Sequence, residues 1–243
     1  SAGDGSADTA MTFSGSAAAI NAALDGLRFA PSASYQGSAT IGFSVSDLGG
    51  SGSGGTLTDT GSVIVEVGAL RFRDGSAGYA GTQDTYIDDS APGSAFGTST
   101  TVRADDGSPR QTALIRFDQI IGNGAGQIPA GATITSATLS LYVTERDAAD
   151  TVVLHRMRID WSESSTHASL VNGIQADGSD AEASGIAIDA GLSGWINISG
   201  LAAAVQAWVD GAPNFGWAIV SDADDTWAFA SSESADAMLR PYL

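Results

Sequence analysis

The chain has 243 residues and no cysteine, and its 28 acidic and 10 basic residues give a formal charge of −18. Disulfides, zinc–thiolate sites and cysteine nucleophiles are therefore excluded. The excess of acid argues against a nucleic-acid partner, since that binding depends on neutralising phosphates, and no apolar run reaches the ~18 residues that insertion as a membrane-spanning helix requires.

Residues 10–67 form a first strand-rich block. Short runs that alternate between apolar and polar residues, separated by Gly, Ser and Asp, predict β-strands. One helix is predicted over Ser16–Leu24, where Ile20 and Leu24 share a face. The stretch DLGGSGSGGTLTDTG predicts a long hairpin loop rather than a phosphate-binding loop, because no helix follows it and it contains no lysine.

A second strand-rich block follows the segment VGALRFRDG at residues 67–75. A single helix is predicted near its end, capped by Ser199 and ended by Gly211. Many short strands with regular turns are typical of β-sandwiches and jelly rolls. The sequence therefore predicts an all-β protein of two β-sandwich domains, residues 1–68 and 69–243, the second a jelly roll with one short helix.

The first block resembles the cadherin-like, Ig-like repeats of large bacterial surface proteins. The resemblance rests on the short helix, a corner formed by Tyr35 and Gly37, a strand that ends in Ser-Asp, and the closing strand SVIVEV. A complete sandwich of this kind has about seven strands in ~100 residues, and only four or five fit here. We therefore expect its first strand or two to be missing, as at a fragment boundary, or to be supplied by strand exchange with another molecule.

The second block contains a set of segments in a characteristic order: QDTYIDD, FGTSTTVRA, TALIRFDQI, IPAGATITSATLSLYV, WSESST, VQAWVDGAPNFGWAIV and FASSESADAMLRPYL. Over residues 74–243 the chain thereby resembles the DNRLRE-type domain, which is similar to carbohydrate-binding modules of the alginate-binding group. The resemblance implies a jelly roll that binds an acidic polysaccharide such as alginate.

Four arginines are candidates for contacting such a ligand: Arg103, Arg116, Arg156 and Arg158. Strand alternation places Arg116 opposite Ile115 and Phe117, which are predicted to face the core. Leu154 is predicted to share an exposed face with Arg156 and Arg158. If their strands share one sheet, the guanidinium groups converge into a cationic strip, whose planar forks suit the carboxylates of uronic acids. The alternative is that each arginine pairs with a nearby aspartate on a solvated face and binds nothing.

Two tryptophans, Trp161 and Trp227, are candidates for stacking against sugar rings because they lie beside polar loops. Trp208 lies on the apolar stripe of the predicted helix and Trp217 in an apolar strand, so both are assigned to the core. Burial in the core is the alternative for the two candidates as well.

Asp84, Asp88 and Asp89 cluster near the start of the second block. Calcium requires hard oxygen ligands, so these carboxylates are candidates for a structural calcium site. Aspartates that cap turns are the alternative.

No nucleophile elbow is present, and the two histidines offer few general bases, so we expect no enzymatic activity. The sequence predicts a segment of a secreted or cell-surface bacterial protein whose second domain binds an acidic polysaccharide and whose first domain is a spacer. The alternative is a structural fibre or surface-layer subunit that self-associates by β-strand exchange through an open sheet edge.

Overall fold

The computed structural model describes residues 8–25, 27–29, 37–50, 55–122, 124, 126–146, 151–222, 224 and 226–243. The chain divides into two compact units, Ser1–Ala69 and Leu70–Leu243, and the boundary expected from the sequence falls after residue 68. Within the described ranges, no helix is long and apolar enough to cross a membrane.

The described residues of the first unit form a helix and a hairpin. Helix α1 (Ala17–Leu24) begins after Ser16, whose Oγ accepts a hydrogen bond from the Ala19 N–H at 3.3 Å. Strands β1 (Gly37–Ser46) and β2 (Thr58–Val67) pair antiparallel along their whole length. The predicted helix and hairpin are therefore present, while the corner residue Tyr35 lies outside the described residues.

The hairpin has one apolar face. Ile41 and Val63 are partners in the ladder, and the Phe43 ring lies so close to Gly61 that a Cβ there would not fit. Phe43, Val45 and Val63 are 52%, 60% and 53% exposed. An isolated two-stranded hairpin is marginally stable at best. Among the described residues, this face therefore lacks the second sheet of a complete sandwich, and the cadherin-like resemblance stays a prediction.

The described residues of the second unit form two antiparallel sheets. In chain order the strands are β3 (Thr82–Asp88), β4 (Thr101–Ala104), β5 (Gln111–Phe117), β6 (Leu139–Glu145), β7 (Thr151–Met157), β8 (Ala181–Asp189), β9 (Gly194–Ile198), β10 (Trp217–Ser221) and β11 (Trp227–Ala230). The larger sheet has the order β3-β5-β10-β7-β8 and the smaller one β4-β11-β6-β9. Most successive strands alternate between the sheets, as in a jelly roll. The all-β prediction is confirmed.

The main core lies between the two sheets because alternate residues of each strand face inward. Ile115 and Phe117 of β5 point into it, as alternation predicts, and Leu141 of β6 approaches from the other sheet. Helix α2 (Ala202–Val209) also packs on this core, where Trp208 lies edge-on to Trp217 with 4.8 Å between ring centroids. Its N-cap is Leu201, which makes no side-chain capping hydrogen bond, so the predicted cap at Ser199 is wrong.

The outer face of the larger sheet is buried as well. Leu114 and Ala218, which point away from the main core, pack with Met157 in a second apolar cluster. The loops of residues 158–180 cover this cluster and contribute Trp161 and Leu170 to it. The larger sheet therefore has two buried faces over this area.

The smaller sheet is extended by the first and last residues of the unit. Phe72 and Leu243 exchange two backbone hydrogen bonds, of 2.9 and 3.2 Å, and Tyr242 exchanges two with Ser140 of β6, of 2.8 and 3.1 Å. Phe72 and Leu243 both belong to the main core. Because successive side chains on a strand point to opposite faces, their sequence neighbours lie on the outer face of this sheet.

Candidate functional site

The four candidate arginines do not form one strip. Arg103 belongs to β4 of the smaller sheet, whereas Arg116 and Arg156 belong to the larger one. Arg116 contacts the second apolar cluster on the outer face, while Arg156 is the ladder partner of the core residue Trp217. Arg158 follows the last residue of β7. The predicted convergence is wrong because it required all these strands to share one sheet and one face.

Arg116 is held by acids, and its side chain is 11% exposed. Its Nη1 donates to Asp160 Oδ1 at 2.8 Å and to the Trp161 carbonyl oxygen at 2.9 Å, and its Nη2 donates to Asp118 Oδ2 at 3.2 Å. Its guanidinium carbon is 5.2 Å from the Trp161 ring centroid. Arg116 therefore fixes the covering loop to the sheet, as the aspartate-pairing alternative expects.

Arg156 lies in a groove of about 230 Å³ between β8 and the start of α2, beside Trp217 and Leu201. Its Nη1 is 3.8 Å from Glu182 Oε1, so an acid already faces this guanidinium. Leu154, predicted to share a solvated face with Arg156, is 2% exposed and part of the main core. The face of β7 that the sequence assigns to solvent therefore lines the interior.

Arg103 and Arg158 are exposed. Neither has a carboxylate oxygen within 4.0 Å among the residues that the structure describes. The guanidinium carbon of Arg103 is 5.9 Å from the Tyr86 ring centroid. Of the four candidates, only Arg103 lies on the outer face of the smaller sheet, where it is the ladder partner of Ala228.

The two candidate tryptophans are buried. Trp161 is 4% exposed, and its Nε1 donates to the Phe215 carbonyl oxygen at 2.8 Å. Trp227 is fully buried in the main core against Phe229, with 5.7 Å between ring centroids. Neither ring is available to a sugar, so the predicted stacking role is wrong for both. Loops close over Trp161, and Trp227 lies on the inward side of β11.

The three candidate aspartates do not come together. Four residues along an extended strand separate Asp84 from Asp88 by about 13 Å. Asp88 Oδ2 accepts a hydrogen bond from Gln111 Nε2 at 2.7 Å, and Asp89 Oδ1 accepts one from the Arg110 N–H at 3.0 Å. No group of three His, Cys, Asp or Glu side chains in the described ranges could hold a metal ion. The three-aspartate site is therefore wrong, while calcium as a cofactor stays a prediction.

Asp84 is buried beside another acid. It is 1% exposed, and its Oδ2 accepts a hydrogen bond from the Ser232 N–H at 2.8 Å. Burial, followed by the charge of Glu233, raises the pKa of Asp84 well above its ordinary value. Burial and Glu233 also raise the pKa of Glu163. The protonated form of Asp84 is therefore the one that this environment favours.

An aromatic cluster that the sequence analysis did not single out lies on the outer face of the smaller sheet. Trp195 of β9 is 40% exposed and is the ladder partner of Tyr142 of β6, with 5.6 Å between their ring centroids. The Tyr242 ring centroid is 5.3 Å from that of the same indole. Three adjacent strands thus bring three aromatic rings into contact at the surface.

Two arginines lie against these rings. The guanidinium carbons of Arg71 and Arg73 are each 4.5 Å from the Tyr242 ring centroid, and that of Arg73 is 5.3 Å from that of Trp195. Arg71 is exposed, whereas Arg73 is 7% exposed. Neither guanidinium has a carboxylate oxygen within 4.0 Å in the part of the chain described. We call Arg71, Arg73, Tyr142, Trp195 and Tyr242 the aromatic–arginine surface.

The aromatic–arginine surface combines two kinds of chemistry. Exposed aromatic faces offer apolar area together with polar edges, and guanidinium groups form paired, charge-assisted hydrogen bonds with carboxylates. The surface is also rigid, because its residues lie on hydrogen-bonded strands. It can therefore hold a ligand that has both a hydrophobic ring face and a negative charge.

Strand alternation contains the signal for these rings. Trp195 precedes the core residue Ile196, and Tyr142 follows the core residue Leu141, so both rings must point outward. Proximity to a polar loop, which favours Trp161, is the weaker signal because a loop can fold over a ring. The sequence contains no comparable signal that the first and last strands of the unit meet beside these rings.

Comparison with known proteins adds a family assignment to this geometry. Residues 76–243, more than half of the chain, match carbohydrate-binding module family 96. No curated protein matches the sequence. The chain therefore belongs to carbohydrate-binding module family 96.

Proposed function

We propose that the second unit binds an acidic polysaccharide, such as alginate, through the aromatic–arginine surface and without catalysis. The first unit is a spacer, in a protein that is secreted or displayed on a bacterial cell surface. The observation that carries the proposal is the exposed Trp195 ring, in contact with Tyr142 and Tyr242 and beside guanidinium groups that lack acid partners among the described residues.

Trp195 supplies the apolar area for the C–H face of a sugar ring. Its 40% exposure is the largest among the tryptophans, and the other four are buried below 5%. Because Trp195 and Tyr142 belong to paired strands, their rings are ordered before a ligand arrives. Binding then costs little side-chain entropy, which favours affinity on a small surface.

The arginines favour an acidic ligand over a neutral one. Most of the protein surface repels a polyanion, because the chain carries a formal charge of −18. That repulsion is screened beyond ~8 Å at physiological salt, so the local charge decides. Arg71 and Arg73 provide this local positive charge beside the rings.

The variant Trp195→Ala tests the proposal in an alginate-containing native gel and by calorimetry. We expect at least a tenfold loss of alginate affinity, because truncating a central interface tryptophan costs about 2 kcal/mol and each 1.4 kcal/mol is a factor of ten. The melting temperature should fall, because the ring also contacts Tyr142, Tyr242 and Arg73, so affinity is compared at a temperature where the variant is folded.

Trp161→Phe is the matched control, because Trp161 lies under the loops on the other sheet. It should bind alginate as the unaltered chain does, although the lost Nε1 hydrogen bond lowers stability by about 1 kcal/mol. Unchanged alginate affinity in Trp195→Ala, with the fold intact, would refute the proposed surface.

A second candidate function is assembly through the first unit. The observation that favours it is the apolar hairpin face, where Phe43, Val45 and Val63 are each more than half exposed. A second sheet from another copy of the chain would cover this face and complete a sandwich. Sedimentation velocity over a range of concentrations separates this candidate from a purely monomeric spacer.

A further inference from the structure

The family match and the structural unit begin at different residues. Residues 76–243 match the family, whereas the compact unit begins at Leu70. Arg71 and Arg73 therefore lie outside the matched segment but inside the folded module. We propose that residues 70–74 determine the selectivity of the module for anionic glycans, with Arg71 contacting the ligand's carboxylate and Arg73 positioning the rings. This inference rests on the proposed function.

The backbone fixes the segment in place. Phe72 is 3% exposed in the main core, and its N–H donates to the Leu243 carbonyl oxygen at 2.9 Å. With Phe72 inward, alternation directs both neighbouring arginines to the outer face, next to Tyr242. The segment thus acts as an additional strand that carries two positive charges to the edge of the aromatic cluster.

The charge environment of these arginines differs from that of others in the chain. Arg110, Arg116 and Arg156 each have a carboxylate oxygen within 4.0 Å. Arg71 and Arg73, like Arg103 and Arg158, have none among the described residues, although the chain contains 28 acids. Unlike Arg103 and Arg158, they lie together against one aromatic ring, that of Tyr242. A protein this acidic has many carboxylates available, so a pair of arginines without one is suited to an external anion.

Arg73 is 7% exposed, and its Nε is buried without a hydrogen-bond partner. Leaving a buried charge without a counter-ion destabilises the folded state. Contacts with the Trp195 and Tyr242 rings offset part of this cost. A ligand carboxylate close to the pair would offset more.

The two arginines have different roles because their exposure differs. Arg71 is exposed and reaches solvent beside Tyr242, so it can form direct hydrogen bonds with a carboxylate. Arg73 lies against two rings and is almost fully covered, so it acts through Trp195 and Tyr242. Arg71 is therefore the selectivity residue, and Arg73 is a positioning residue.

The test uses the full chain and the variants Arg71→Met, Arg73→Met and Arg110→Met, because methionine keeps an unbranched stem and removes the charge. Affinity for alginate and for a neutral β-glucan is measured at low and high salt. Arg71→Met should weaken alginate binding about tenfold and remove most of its salt dependence, because one direct ion contact is lost. Binding of the neutral glucan should not change.

Arg73→Met should weaken binding of both polymers wherever both bind, because the rings lose their support, and Arg73→Lys should restore only part of the loss. Arg110→Met is the charge-matched control, since Arg110 is exposed and pairs with Asp106; its alginate affinity should stay within twofold. If Arg73→Met does not fold, the exposed Arg71 still decides the question.

Alginate binding that keeps its affinity and salt dependence in Arg71→Met overturns this inference and leaves the proposed function standing. A full chain that binds no anionic glycan overturns both. Loss of alginate binding in Trp195→Ala together with an unchanged Arg71→Met assigns recognition to the rings alone. The two failures are therefore distinguishable.

Discussion

Asp84 and Asp88 lie on the same strand, β3, but their pKa values are shifted in opposite directions. Asp84 lies in the core beside Glu233, and burial, followed by that neighbouring charge, raises its pKa. For Asp88 burial also raises the pKa, but hydrogen bonds from Ser90 and Gln111 outweigh it, so the pKa of Asp88 is lowered. The protein therefore stabilises the protonated form of Asp84 and the ionised form of Asp88.

The two acids predict opposite pH dependences. In the folded state Asp84 keeps its proton above pH ~4, where the unfolded chain loses it, so its contribution to stability falls as pH rises. Asp88 is ionised in the folded state below that pH, so its contribution is lost as pH falls. Denaturant unfolding from pH 3 to 8 measures the free energy of unfolding of each variant relative to the unaltered chain. This difference should rise with pH for Asp84→Asn and fall with pH for Asp88→Asn.

The unaltered chain, measured at each pH, is the reference for both variants. A curve for Asp84→Asn that stays parallel to that of the unaltered chain would contradict the raised pKa of Asp84.

At the scale of the element, the same alternating pattern has different outcomes in the two units. Strand β9 buries Ile196 and Ile198 against a second sheet and leaves Trp195 outside. Strand β1 also alternates, but Phe43 and Val45 meet no second sheet among the described residues. An amphipathic strand is stable only when something covers its apolar side.

Assembly by the first unit therefore has a direct test at Phe43. If copies of the chain cover each other's hairpins, the sedimentation coefficient rises with concentration, and Phe43→Ser lowers the association at least tenfold, because burial of a phenylalanine contributes about 1.5–3 kcal/mol. Ser44→Ala alters the opposite face of the same strand and should leave association unchanged. A concentration-independent monomer would rule out this function under the conditions of the measurement.

At the scale of the molecule, stability and selectivity depend on the residue at which the folded module begins. The main core includes Phe72 and Leu243, whose segments pair with each other and extend the smaller sheet. A module that begins at residue 76, where the family match begins, lacks one of these segments. The structure therefore predicts that stability and selectivity both depend on residues that precede the matched segment.

Two fragments test this boundary. Residues 70–243 should unfold in one cooperative transition, whereas residues 76–243 should melt at least about 6 °C lower, because removing a buried phenylalanine costs about 3–5 kcal/mol and each kcal/mol lowers the midpoint by about 2–4 °C in a domain of this size. Differential scanning calorimetry measures the difference. Equal melting temperatures would place the start of the module at residue 76.

The sequence was sufficient for much of the fold because the determining patterns are local. Alternation identified Ile115 and Phe117 as core residues, the stripe in the predicted helix identified Trp208, and the ordered segments of the second block indicated a carbohydrate-binding module. The predicted arginine strip was wrong because strand alternation is local information. Alternation assigns Arg116 and Arg156 each to a face of its own strand, but it does not determine which strands share a sheet.

By itself the sequence determined the all-β class and the presence of helix α2, because these follow from spacing between neighbouring residues. The same spacing directs Trp195 outward, although Trp195 was not among the predicted site residues. Only the tertiary structure decided that loops cover Trp161 and that Arg71 and Tyr242, more than 170 residues apart, meet beside Trp195. Contacts between distant segments depend on strand order and pairing across the whole sandwich, which local periodicity does not encode.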